Sequence, residues 1–70
     1  MRWKHIRRGD TFEVTIDGKP DKLICMNDRG STYHDEAHSR SWDLNSNLLS
    51  MIGKTFTTLG VQFHIVRHIR

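Results

Sequence analysis

The sequence predicts a mainly β domain, a small five-stranded partly open barrel with one short helix, in the order β-β-(β)-α-β-β. Three observations carry that expectation. Val61, Phe63, Ile65 and Ile69 lie on one side of a period-two pattern, with Gln62, His64, His68 and Arg70 on the other, the signature of a half-buried strand. Phe12, Val14 and Ile16 alternate in the same way with Thr11, Glu13 and Thr15. Asp17-Gly18 and Leu59-Gly60 fall where hairpins need residues that accept positive φ.

Seventy residues make one domain, 1–70, close to the size at which a single core barely suffices. The hydrophobic share of 36% leaves little to line a buried active site, so a binding role is expected rather than catalysis, with no cofactor. Cys25 stands alone and cannot form an internal disulfide, which suits a reducing compartment. No apolar run approaches ~18 residues and no basic-then-apolar leader opens the chain, so neither a membrane span nor a secretory signal is expected, and a cytoplasmic location is.

Taken in order, Trp3 to Arg8 offers only Trp3 and Ile6 as apolar anchors and is expected to be an extended lead-in or edge strand. The strand at 11–16 follows. Its partner is expected at 22–27, across a five-residue loop, Asp17 to Asp21, that sets Phe12 near Met26 and Val14 near Ile24; this loop removes Pro20 from the ladder, where it has no N–H to give. A two-residue turn, setting Val14 against Asp21, is the alternative. Residues 28–42 are polar and expected to be mobile, with a short strand possible at Thr32 to His34. Trp42 is expected to anchor the core or its rim. Over Asp43 to Gly53, the apolar spacing of Leu44, Leu48, Met51 and Ile52, with Asp43 or Asn45 as cap and Gly53 as stop, predicts a short helix. Residues 55–58 and 61–69 then form a C-terminal hairpin. Strands flanking one short helix give an order that resembles the oligonucleotide-binding barrel, and a Gly-Asp before the first regular strand is similar to SH3-like barrels; no family motif accompanies the likeness, and fold does not imply function.

Charge is segregated along the chain. Arg2, Lys4, Arg7 and Arg8 open it without an acid, and Lys54, Arg67 and Arg70 close it without one, while all eight carboxylates lie between Asp10 and Asp43. If the terminal strands are neighbours, these cations merge into one basic face. Phosphate-tracking cations and flat side chains suit single-stranded nucleic acid. The expected contacts are Arg2, Trp3, Lys4, Arg7, Arg8, His64, Arg67 and Arg70. The alternative partner is a larger protein, with Tyr33, Arg40 and Trp42 as anchors of the types that dominate interfaces. Five histidines invite a metal reading, with His34 and His38 joined by Cys25 or Asp35, but the spacings of structural zinc motifs are missing and no metal is expected. A small endoribonuclease using His34 or His38 beside Asp35 and Glu36 is a minor reading, because groups on a polar loop lack a water-excluding pocket.

Overall fold

The computed structural model describes residues 5–70. Arg2, Trp3 and Lys4 lie outside them. Six strands follow in chain order: β1 Thr11–Ile16, β2 Lys19–Cys25, β3 Thr32–Asp35, β4 Arg40–Asp43, β5 Thr55–Thr58 and β6 Val61–His68. All neighbours are antiparallel, in the order β4-β3-β2-β1-β6-β5. The mainly β expectation therefore holds, with six strands among the described residues in place of five. The segment 28–42 contributes two of them, β3 and β4.

The sheet is curled into an open half-barrel. In a flat sheet β4 and β6, four places apart, would be separated by roughly 19 Å. Instead the rings of Trp42 on β4 and Phe63 on β6 meet edge to face at 5.2 Å. Phe12, Val14, Ile16, Leu23, Cys25, Tyr33, Phe63 and Ile65 fill the concave side, and Ile6, Leu44 and Leu48 plug one end. Trp42 is thus a core anchor, 7% exposed.

The first hairpin departs from the expected loop. Ile16 pairs with Lys19, Thr15 with Pro20, Val14 with Asp21 and Phe12 with Leu23 across a two-residue turn. Asp17 and Gly18 have φ of 51° and 82°, the all-positive pattern of a type I′ turn. Pro20 is tolerated because it occupies a non-hydrogen-bonded slot opposite Thr15, and on its other side β3 begins pairing only at Leu23. Relative to the expected register the strand is shifted by three residues, an odd number, which exchanges its faces. Leu23 and Cys25 are fully buried, while Ile24 is on the convex side.

The helix expected over 43–53 is a single 3-10 turn, Leu48–Ser50, capped by the Asn47 side chain on Leu49 N–H at 2.9 Å. Asn45 takes a φ of 51°, which stops helical propagation, and Asn47, Ser46 and Ser50 offer the backbone competing partners. Leu44 and Leu48 are still buried, so their spacing reports burial without a helix. Tyr33 holds this segment down. Its hydroxyl sits 2.8 Å from both Gly30 O and Ser46 O, donating its one proton to either, and accepts Leu48 N–H at 3.1 Å.

The C-terminal hairpin forms as expected, with Leu59 and Gly60 at φ 54° and 76°. Alternation breaks at Val66 because a bulge lies there: Val14 pairs with Ile65 but Glu13 with Arg67. Beyond it His68 comes to the Phe12 ring, 5.0 Å away, and Ile69 is 43% exposed. Residues 5–10 form no strand; Ile6 packs against the space a Cβ on Gly30 would occupy.

Tyr33→Phe strands the buried Leu48 N–H and is expected to cost about 1–3 kcal/mol, a fall in melting temperature of roughly 5–20 °C by calorimetry. Leu59→Asn, which puts a residue tolerant of the left-handed region at an exposed turn position, is expected to gain about 0.5–1 kcal/mol in urea denaturation.

Candidate functional site

Two polar constellations lie at opposite ends of the sheet. The first is where residues 7–11 meet the C-terminal Ile69 and Arg70. Thr11 N–H donates to Arg70 O, and Ile69 N–H to Thr11 O at 2.8 Å. Asp10 accepts Arg7 N–H at 2.9 Å and Asp28 accepts Arg8 N–H at 3.2 Å, which fixes the lead-in against the 27–30 turn. Arg7, Arg8, Arg29 and Arg70 are exposed here, and among the described residues none of them has an ion-pair partner. Arg67 is instead bound to Glu13, Nε to Oε1 2.7 Å. His64 lies further along the sheet, between Thr15 and Thr55, with Nδ1 2.7 Å from Thr55 Oγ1. Among the expected nucleic-acid contacts within the described residues, the backbones of Arg7, Arg8 and Arg70 lie at the same end of the sheet, while Arg67 is paired and His64 lies further along it.

Of the docking anchors, Tyr33 is fully buried and Trp42 nearly so. Only Arg40 reaches solvent, its guanidinium 4.4 Å from the centre of the Trp42 ring. A cation–π contact of this kind covers the indole rather than offering it to a partner.

The second constellation arises from strand register. Asp21 shares a face with Leu23 and Cys25, and Asp35 shares one with Tyr33, so both core rows end in a carboxylate. Leu23 pairs with Asp35, which makes Asp21 and Asp35 diagonal neighbours. His38, in the four-residue turn between β3 and β4, folds back over them. Its Nδ1 is 3.1 Å from Asp35 Oδ2 and 3.4 Å from Asp21 Oδ2. Trp42 Nε1 donates to Asp35 Oδ2 at 3.3 Å, while Asp35 Oδ1 accepts the N–H groups of Ala37 and His38. Asp21 Oδ1 accepts Lys22 and Ala37 N–H, but Asp21 Oδ2 is buried without a partner. The two acid side chains are 3% and 0% exposed, that of His38 56%. An open groove of about 430 Å³ adjoins Asp21, lined also by Glu13, Pro20, Lys22, Glu36 and Ala37.

Burial pushes the Asp21 carboxyl up, and the Asp35 carboxylate beside it pushes it further, by favouring a protonated Asp21 that can donate to it and by its charge. Burial acts on Asp35 in the same sense, but bonds from Asp21, the Trp42 indole and the His38 backbone and ring outweigh it and hold that carboxyl below the usual range. One member of the pair thus ionises readily and its neighbour reluctantly.

Of the residues weighed as metal ligands, the fold brings His38 and Asp35 together. His34 lies on the opposite face of β3, paired with Ile24 and Ser41, and Cys25 is fully buried at the far end with Sγ–H on Asn27 O at 2.8 Å. Burial also pushes the Cys25 thiol up. Asp21 was not among the expected ligands. The signal for it was the Asp17-Gly18 turn, which places residue 21 in line with 23 and 25. Compared with protein-family models, curated proteins and solved structures, the chain matches none.

The raised Asp21 pKa makes that carboxyl's own contribution fully present below the unfolded carboxylate value of about 3.9 and lost as pH rises through its folded value, whereas the lowered Asp35 pKa stabilises in the opposite sense, above the unfolded value. Asp21→Asn, neutral throughout and able to donate to Asp35, is therefore expected to raise the melting temperature by a few degrees at about pH 7 and to leave it nearly unchanged at about pH 3.

Proposed function

We propose that this chain is a small non-enzymatic binding module that holds nucleic acid by its phosphates at the end of the sheet where the lead-in to β1 meets the C-terminal residues. The observation that carries the reading is the backbone pairing of Thr11 with Ile69 and Arg70, which seats Arg70 beside the lead-in bearing Arg7 and Arg8. Arg29 on the 27–30 turn joins the same end. Four guanidiniums anchored on ordered backbone form a cationic rim suited to bidentate contact with phosphate oxygens. The Asp10 and Asp28 carboxylates at this end are engaged by backbone N–H groups, which lessens their pull on the arginines. Lys54, Arg67 and His64 add charge elsewhere without joining the rim.

A rim of guanidiniums without a groove for base edges favours backbone contact over sequence readout. The open half-barrel leaves this end of the sheet accessible, although architecture alone does not set function. Among the described residues no helix is long and apolar enough to cross a membrane.

Fluorescence anisotropy with a labelled single-stranded oligonucleotide tests the proposal. With four phosphate contacts, affinity is expected to fall roughly 50-fold between 50 and 200 mM salt. Arg7→Glu with Arg70→Glu is expected to remove most binding at low salt. A dissociation constant that stays flat across that salt range, or one untouched by the double substitution, overturns the reading.

A further inference from the structure

We infer that Asp21, Asp35 and His38 form a binding site for a divalent transition-metal ion of the zinc type. The three side chains offer two carboxylate oxygens and one imidazole nitrogen, all within 4.8 Å of one another. Zinc bound tetrahedrally at 2.0–2.2 Å from such donors requires about 3.4 Å between neighbouring ligand atoms. His38 Nδ1 lies 3.1 Å from Asp35 Oδ2 and 3.4 Å from Asp21 Oδ2, so two edges of that tetrahedron are already present.

An independent observation points the same way. Asp21 Oδ2 belongs to a side chain only 3% exposed, is aimed at Asp35 and at His38 Nδ1, 3.4 Å away, and as an ionised carboxylate oxygen has no hydrogen-bond partner. A buried carboxylate oxygen left so beside a second carboxylate is costly. A dication between them supplies the missing partner to both. The other oxygens are already placed: Asp21 Oδ1 and Asp35 Oδ1 are held by backbone N–H groups, and the Trp42 indole bonds Asp35 Oδ2 from behind. This is the outer-shell orientation that ligating carboxylates receive.

The donor set selects the ion. Imidazole with two carboxylates suits zinc and its transition-metal neighbours, whereas magnesium and calcium prefer oxygen alone at higher coordination number. On binding, His38 ligates as the neutral tautomer, with Nδ1 bare toward the ion and its N–H on Nε2. The half-exposed His38 leaves the fourth position open to water. The site joins β2, β3 and the turn into β4, and lies at the other end of the sheet from the arginine rim. Its consequence is therefore to brace this end of the half-barrel.

The test uses the full chain without a histidine tag, stripped with chelator and titrated with zinc chloride by calorimetry, with thermal melts and the Trp42 indole N–H resonance followed in parallel. One ion per chain is expected, with a rise of roughly 10 °C in melting temperature at ~100-fold excess over the dissociation constant and a shift of the Trp42 resonance. His38→Ala, at an exposed turn residue, and Asp21→Asn are each expected to weaken binding roughly 100-fold or more while the metal-free protein stays folded. His34→Ala is expected to change nothing, and magnesium to produce no shift. Absence of saturable zinc binding, or binding that survives both substitutions, overturns the inference; so does binding that His34→Ala abolishes.

Discussion

The parity of the first hairpin governs the rest of the structure. Two residues at positive φ, Asp17 and Gly18, close it, and the closure decides which side of β2 faces inward. Had the loop taken five residues, Ile24 and Met26 would enter the core and Asp21 would be left in the turn. With two, Leu23 and Cys25 are enclosed, and Asp21 is carried to the end of the same row. Because β3 reads its register from β2 through Leu23 and Asp35, one turn places both acids of the Asp21–Asp35–His38 cluster.

Curvature is the second organising feature. A six-stranded sheet with one apolar face needs something to cover it, and the described residues offer no helix longer than the single 3-10 turn Leu48–Ser50. The sheet covers itself instead, bringing Trp42 onto Phe63, while Tyr33 ties the 44–51 segment across one end through three polar contacts. Closure stays incomplete because β4 and β5 do not pair. The two ends of the half-barrel consequently differ in character: the lead-in to β1, the C-terminal residues and exposed arginines lie at one, buried carboxylates at the other.

The parts legible in the sequence were those in which independent physical rules pointed the same way. Thr11–Ile16 and the C-terminal hairpin were readable because alternation and turn chemistry agreed, and the break at Val66 marked a real bulge. Pro20 misled because its missing N–H matters only where a neighbouring strand asks for it, and β3 stops short of that position. Leu44 and Leu48 misled because burial at a spacing of four is common to a helix and to a loop pinned by Tyr33. β4 was hidden: four residues with one inward side chain are too few to show a period. Of the candidate metal ligands, Asp35 and His38 could be named from local composition, whereas Asp21 depended on a register that local composition does not carry.

The lone cysteine takes on another meaning in this setting. Disulfide exchange requires an accessible thiolate, and Cys25 offers neither access nor charge: it is fully buried, its thiol is pushed up by burial, and its proton is given to the Asn27 carbonyl. Walled in at the end of β2, the sulfur behaves as a small apolar filler. The folded chain is therefore indifferent to the redox poise around it, and a single cysteine that composition alone associates with a reducing compartment ceases to mark one.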